Sequence, residues 1–256
     1  MKRRRSQDYT KHSRSHKSRR TETYRPITGP ASLTTRRQRL NLRTGGFLGI
    51  EKKFYDTTGS ATAIASPTDA SGGLLDPVSG ALNTMVQGDG QSQRDGRQVR
   101  MVSIQVKGVV QIPTQAAENV TDIMPCVSIY IVLDTQTNGA QLNTSNVFTN
   151  PSGSAVTAAT IYRNLQFSKR FRILKHKIIR LPMATMASDA VGTFGISGSN
   201  VPFECYKKLG YMQVNYTGTT ENISNITDNS LHIVAFSSNN SMNPALIYNS
   251  RLRYVG

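Results

Sequence analysis

Arginine and lysine are concentrated near the start of the chain, and both side chains bind phosphate. The guanidinium group presents a planar fork of N–H donors that matches phosphate oxygens, and each neutralised phosphate releases counterions. Such contacts hold a nucleic-acid backbone without reading its sequence. We therefore predict a nucleic-acid-binding site formed by Lys2, Arg3, Arg4, Arg5, Lys11, Arg14, Lys17, Arg19, Arg20, Arg25, Arg36, Arg37, Arg39 and Arg43.

A second basic group lies much further along the chain. Within it, Arg170 and Arg172 are predicted to share one face of a strand while Phe171 and Ile173 take the other. Positions 175–177 are predicted to form the tip of a hairpin. The group is a candidate second nucleic-acid surface, and a solvated face explains it equally well. Its members are Lys169, Arg170, Arg172, Lys175, Lys177 and Arg180.

The sequence shows no catalytic constellation. It contains no P-loop, no HExxH zinc motif and no GxSxG nucleophile motif, and its histidines form no closely spaced pair of the metal-binding kind. His232, which lies between two aliphatic residues, is interpreted as a packed or edge-facing residue of a sheet. The basic and acidic residues of the segment 89–97 are interpreted as parts of a solvated loop. We predict no enzymatic activity, no cofactor and no metal ion.

The net charge of +16 is unevenly distributed over the 256 residues. Residues 1–44 contain 14 of the 31 lysines and arginines, with only Asp8 and Glu22 to oppose them. Such a block repels itself and buries no apolar surface, which is typical of disordered segments that bind polyanions. We predict a disordered arm at 1–44, in which the basic cluster at 2–5 also fits a nuclear-import signal. Charge alone leaves DNA and RNA open.

Residues 45–256 are predicted to form the ordered domain. After a predicted surface loop at 57–81, apolar and polar residues alternate with a period of two, which indicates β-strands. The only predicted helix is a short one at 154–165. Strands are predicted at 51–57, 97–112, 126–133, 168–174, 177–181, 211–216, 231–237 and 247–255, with 201–206 as a ninth candidate.

The alternation also predicts which side chains face the core. In the last strand Tyr248, Leu252 and Tyr254 alternate with Arg251 and Arg253. Strands joined by polar turns, without helical crossovers, favour an all-β antiparallel sandwich or jelly roll. In the long strand at 97–112 the predicted inward residues are Val102, Ile104, Val106, Val110 and Ile112.

The two cysteines and the apolar segments bear on redox state and location. Cys126 and Cys205 lie in apolar, strand-like contexts without CxxC spacing, so we predict that they are buried and form no disulfide. The N-terminus lacks the apolar core of a signal peptide. No apolar run approaches the roughly 20 residues that span a bilayer. We expect synthesis in the cytosol and no membrane insertion.

Four segments, in this order, resemble a known family. They are GGFLGIEKKFYDT after the basic arm, LNTMVQGDGQSQRDGRQVRMVSIQVKGVV, NLQFSKRFRILKHKIIRL, and NPALIYNSRLRYVG at the end. The chain thereby resembles the coat proteins of circular, replication-initiator-encoding single-stranded-DNA viruses, the circovirus-like and geminivirus-like group. The resemblance covers nearly the whole chain, and its motifs are mostly structural.

The resemblance implies a single jelly roll of eight strands in two four-stranded sheets. Copies of such a chain would assemble with each other into a small icosahedral shell of T=1 type, with the arms pointing inward onto a single-stranded DNA genome. Loops at 57–81, 134–151 and 218–229 would then form the outer surface and the subunit contacts. The implied locations are the virion and the host nucleus, and the implied host partners are nuclear-import receptors and a cell-surface receptor.

Two other classes of protein share parts of this pattern. A non-virion protein that coats single-stranded DNA and shuttles it through the nucleus would also need the basic arm. A trimeric jelly-roll ligand or lectin needs a secretory route and gains nothing from that arm. We therefore expect a shell protein, with the shuttle protein as the alternative.

Overall fold

The computed structural model describes residues 51–64, 73–111, 115–116, 126–149, 161–181, 184–186, 195–197, 200–238 and 244–256. Regular structure in these residues is almost entirely β. The long strands are β1 (Lys52–Ala63), β2 (Gln98–Gln111), β4 (Cys126–Asp134), β7 (Phe171–Arg180), β10 (Asn200–Asn215), β11 (Ser230–Ser237) and β12 (Ala245–Val255). The short strands are β3 (Gln115–Ala116), β5 (Phe148–Thr149), β6 (Tyr162–Arg163), β8 (Ala184–Met186) and β9 (Gly195–Ser197). The helical elements are one turn of α-helix, α1 (Thr144–Val147), and a 3₁₀ turn (Ile223–Asn225).

Four long strands form one antiparallel sheet in the order β1-β12-β2-β10. Alternate residues of each strand are buried, as the period of two predicts for a sheet with one covered face. A row across this sheet joins Tyr55 of β1, Leu252 of β12 and Ile104 of β2, all of them buried. The opposite face of the sheet carries most of its exposed charged residues.

The second large sheet has the order β11-β4-β7, and it is also antiparallel. Segment 73–76 extends it beyond β11, since Leu74 and Val234 form a bridge. The amide of Leu75 donates to the carbonyl of Ile233 at 3.0 Å, and the amide of Ala235 donates to the carbonyl of Gly73 at 2.8 Å. Smaller sheets have the orders β3-β9-β8 and β5-β6.

The main core lies between the two large sheets. It combines Ile104 and Val106 of β2 with Ile129 and Ile131 of β4 and Ile233 of β11, all at most 1% exposed. Burying each such aliphatic side chain contributes about 1.5–3 kcal/mol relative to leaving it in water. This apolar layer holds the strands in register, because a slip by one residue would turn it toward solvent.

A second apolar cluster covers the other face of the three-stranded sheet. Tyr130 and Phe236 lie beneath Val147 and Phe148, which α1 and β5 supply. The rings of Phe148 and Phe236 meet edge to face at 5.3 Å between centroids. Strands β4 and β11 are therefore covered on both faces, which explains why their sequences are apolar runs rather than clean alternations.

The predicted all-β antiparallel class is confirmed, and four strands, β2, β4, β11 and β12, agree closely with their predicted positions. In two places the prediction of two separate strands is wrong, because the structure has one continuous strand there. Most of 168–174 and 177–181 forms the single strand β7, and most of 201–206 and 211–216 forms β10. In both strands a register irregularity breaks the alternation that the prediction followed.

Other predicted elements also need correction. The predicted surface loop at 57–81 is a strand as far as Ala63, and it contains the buried residues Leu75 and Ala81. The predicted helix at 154–165 lies largely outside the described residues, and its last part contains β6 instead. Val102, predicted to face inward, is half-buried, because β2 has an extra residue there and Met101 takes the core position.

Candidate nucleic-acid interface

The fourteen cations of the predicted arm lie outside the described residues, and so does the boundary between arm and domain at positions 44 and 45. The arm therefore stays a prediction as a nucleic-acid-binding site. The described domain carries further basic side chains, whose positions the structure does give.

The second basic group lies on and just before β7. Its predicted hairpin tip at 175–177 is wrong, since β7 continues through it without a turn. Ile131 pairs with Lys175 and Val132 pairs with Ile173, so Leu174 is an extra residue in the strand. This bulge absorbs the break in alternation that the prediction took for a turn.

His176 was predicted to lie in a turn, and that position is also wrong. It occupies the middle of β7 opposite Tyr130, and the two rings stack with centroids 4.2 Å apart and planes 6° from parallel. Partial burial lowers the pKa of the imidazole. His176 is thus a strand residue that stacks on Tyr130 rather than part of a basic hairpin tip.

The structure distributes this basic group over two faces of the sheet. Arg172, Lys175 and Lys177 pair with β4 residues that face the main core, whereas Arg180 pairs with Cys126 on the other face. Lys177 donates from Nζ to the backbone carbonyl of Glu204 at 3.2 Å, so one of these cations contacts β10. The six residues therefore do not form one continuous surface.

Arg170 has a structural partner of its own. Its Nε and Nη2 donate to the two carboxylate oxygens of Asp134, each at 2.8 Å. The Asp134 side chain is fully buried, and this hydrogen bond raises the pKa of Arg170. Arg170 precedes β7, so the prediction that it shares a strand face with Arg172 is wrong. The opposite placement of Phe171 and Ile173 is confirmed, because both join the second apolar cluster.

A larger basic surface, which the sequence analysis missed, lies on the four-stranded sheet. We call the side of that sheet that points away from the main core the outward sheet face. Pairing places Arg253 of β12 beside Ser103 of β2, which in turn pairs with Lys208 of β10. The strand cations on this face are Lys52, Arg100, Lys107, Lys208, Arg251 and Arg253, and its strand carboxylates are Asp56 and Glu204.

The two carboxylates engage only two of these cations. Arg251 forms a bidentate pair with Asp56, at 2.8 and 2.7 Å, and Lys107 lies 3.7 Å from Glu204. Among the described residues, no carboxylate oxygen lies within 4.0 Å of a side-chain nitrogen of the other four cations, so they form no ion pair there. These unpaired cations are Lys52, Arg100, Lys208 and Arg253.

Apolar and concave features accompany the charges on the outward sheet face. The guanidinium of Arg251 lies over the ring of Phe54, 4.9 Å from its centroid, while Tyr206 is 46% exposed. A cleft of about 760 Å³ opens beside Lys107 and Asn249 and continues past the edge strand β1. The face therefore offers cations, an exposed aromatic ring and a depression, as sites for single-stranded nucleic acid do.

Part of this face was visible in the sequence. The predicted alternation of Arg251 and Arg253 against the inward Tyr248 and Tyr254 is confirmed. The sequence does not reveal which strands are neighbours, so it could not bring the cations of β1, β2, β10 and β12 onto one surface. The cations of segment 168–181, in contrast, lie close together in the chain and are visible as a group in the sequence.

Three buried side chains make the contacts of a serine-hydrolase triad. Ser230 Oγ lies 2.7 Å from His232 Nε2, and His232 Nδ1 lies 2.5 Å from Asp76 Oδ2. Burial raises the pKa of Asp76, and its interaction with the His232 ring partly offsets this rise. Ser230 and His232 have no exposed surface, so no substrate reaches the hydroxyl. The prediction that His232 is packed in a sheet is confirmed, and we interpret the three side chains as a structural link between segment 73–76 and β11.

Arg94 corrects the prediction of a solvated loop at 89–97. Its side chain is fully buried, donates to the carbonyls of Met85, Gly96 and Gly218, and stacks on Tyr216 at 4.4 Å from the ring centroid. It therefore joins three loop segments at one end of the sandwich.

Both cysteines are free thiols. Cys205 is buried as predicted. Burial raises the pKa of its thiol, and the positive charges of Lys177 and Lys175 partly offset this rise. Cys126 is only half-buried, so the prediction of burial is wrong there.

Comparisons with protein-family models and with curated proteins find nothing that matches this chain. Within the described part of the chain, no three or more His, Cys, Asp and Glu side chains are grouped so as to hold a metal ion. In that same part, none of the helices has the length and hydropathy to cross a membrane.

Proposed function

We propose that this chain is the coat protein of a circular single-stranded-DNA virus. Copies assemble into a closed icosahedral shell of T=1 type, and the arginine-rich arm binds the enclosed genome. The arm also directs import into the host nucleus. This function requires no catalytic residue, and it uses the chain's two distinctive properties, a β-sandwich and a block of phosphate-binding cations.

The nested pairing of the strands carries this proposal. Taken in chain order, the eight segments of the two large sheets are β1, 73–76, β2, β4, β7, β10, β11 and β12. The first pairs with the eighth, the second with the seventh, the third with the sixth and the fourth with the fifth. A long antiparallel hairpin that wraps around a core produces this nesting, which supports an eight-stranded jelly roll.

Jelly rolls also occur in lectins and cupins, so the fold alone does not select a shell protein. The basic arm distinguishes a shell protein from these other jelly rolls. A lectin or a small-molecule enzyme gains nothing from 14 cations in 44 residues, whereas a protein that encloses nucleic acid needs them to neutralise phosphates.

An exposed apolar loop before β7 supports self-association. Tyr162 is 63% exposed and Leu165 is 76% exposed, although hydrogen bonds fix the loop around them. Arg163 Nη2 donates to the carbonyls of Ser168 and Phe171 at 2.9 and 2.7 Å. Ordered apolar side chains on a surface are typical of protein–protein contacts, and another subunit would bury them.

Negative-stain electron microscopy of the purified full-length protein tests the proposal, combined with ultraviolet absorbance and nuclease digestion. We expect uniform closed particles that contain nuclease-resistant single-stranded DNA. Monomers, or irregular strands coated with protein in variable stoichiometry, would overturn the shell and favour the nuclear shuttle protein. Particles that protect RNA instead would retain the shell and reject the DNA genome.

A further inference from the structure

We infer that the outward sheet face binds single-stranded nucleic acid directly and is a second binding surface beside the arm. The inference rests on the proposed function in one respect, namely that the bound polyanion is the strand that the shell encloses. The surface itself is defined by strand pairing in the described domain alone.

Charge is the first observation that points to this ligand. Six strand cations lie on the outward sheet face against two carboxylates, and the four unpaired cations have no carboxylate within ion-pair distance in the described residues. Neighbouring strands are about 4.8 Å apart and alternate residues of a strand about 7 Å apart, so these charges lie close together. Mutual repulsion disfavours such a cluster unless a polyanion occupies it.

The rest of the face favours an unpaired strand over a duplex. Tyr206 presents an exposed ring in the row that contains Arg251 and Gln105, and a base whose flat side is free can stack on it. Asn249 lines the neighbouring cleft with an amide group that can donate to and accept from base edges. Gln105 lies beside it, and its Nε2 donates to Glu204 Oε1 at 2.6 Å. Bases in a duplex are stacked on each other, so their flat sides are not free to stack on the Tyr206 ring.

Cations elsewhere in the described domain are arranged differently. Arg170 is committed to Asp134, Arg94 to backbone carbonyls, and Lys53 to Asp95. Arg172 and Lys175 are exposed on the edge strand β7 without an aromatic residue in their cross-strand row, and so provide a charge-matched comparison.

The test compares full-length variants for binding to a fluorescent oligothymidine of about 30 nucleotides, with NaCl varied between about 0.1 and 1 M. The variant K208Q/R253Q removes two unpaired cations from the outward sheet face, and R172Q/K175Q removes two from β7. Each phosphate contact adds about 0.7 to the slope of log affinity against log salt. We expect K208Q/R253Q to reduce that slope by about 1.4 and the affinity at 0.1 M NaCl by roughly 25-fold. R172Q/K175Q should keep the slope of the unmodified protein.

A third variant, Y206L, tests stacking separately from charge. It should weaken binding of the single strand by about fivefold or more with an unchanged salt slope, and leave binding of a duplex unchanged. Equal slopes for K208Q/R253Q and the unmodified protein would overturn the inference, as would equal losses in the two double variants. Circular dichroism of each variant shows whether it has folded.

The inference and the proposed function fail separately. If closed particles containing DNA form but K208Q/R253Q binds like the unmodified protein, the shell stands and this surface is rejected. If no particles form but K208Q/R253Q lowers the slope, the surface stands and the shell is rejected.

Discussion

Two buried polar residues, Arg94 and His232, have hydrogen-bond partners that the local sequence does not predict. Arg94 lies among glycines and polar residues that predict a solvated loop, and its burial follows from carbonyl groups that only the folded chain brings together. His232 was predicted to be packed because its neighbours are apolar, but its partner Asp76 is 156 positions away. Local sequence indicates burial better than it indicates the partner that makes burial of a polar group tolerable.

Arg94→Lys should destabilise the domain by about 2–4 kcal/mol, because an ammonium group cannot donate in the planar fork that three carbonyls now accept. Loss of the stacking contact with Tyr216 adds to this cost. Urea unfolding followed by circular dichroism measures the change. Arg97→Lys, an exposed neighbour, is the control and should stay within about 0.5 kcal/mol of the unmodified protein. Equal stability of the two variants would show that Arg94 does not join the loops as described.

Within a strand, the alternation of apolar and polar residues predicts which face of the sheet each side chain occupies, and this prediction fails at bulges. Residues 248–254 follow the period of two without interruption, and their inward and outward sides were predicted correctly. The extra residues at Val102 and Leu174 each reverse the alternation, so the predicted core position of Val102 and the predicted hairpin tip after Leu174 were wrong. A bulge depends on the partner strand, and the partner is not visible in a local window.

Gly108→Ala should destabilise the four-stranded sheet by about 1–3 kcal/mol, because a Cβ there would overlap the carbonyl oxygen of Ile247 in the neighbouring strand. It would also lie 2.7 Å from the Phe203 ring, which packs over this glycine. Thermal unfolding measures the effect. Gly96→Ala, where the nearest atom is 4.0 Å away, is the matched control and should change stability little. A stable Gly108→Ala variant would contradict the close packing of β2 against β12.

For the whole molecule, the order of the strands determines which charges act together. β1 and β12 are nearly 200 residues apart in the chain but adjacent in the sheet, where Asp56 pairs with Arg251. The nucleic-acid ligand is a prediction from composition, since the basic residues of 1–44 are visible in the sequence as a block. The outward sheet face is spread over four strands, and only nested pairing assembles it.

Deleting residues 1–44 separates the two binding surfaces. The domain should unfold at an unchanged temperature, because both apolar clusters of the described residues lie between Tyr55 and Tyr254. Tight binding of single-stranded DNA should be lost, since up to 14 phosphate contacts at about 0.7 each can account for roughly 10 units of salt slope. The four unpaired cations of the outward sheet face should leave a weak residual slope of about 3. Fluorescence anisotropy across a salt series measures both quantities. An unchanged slope would place the whole site in the domain, whereas a slope of zero would leave the arm as the sole site and contradict the sheet surface.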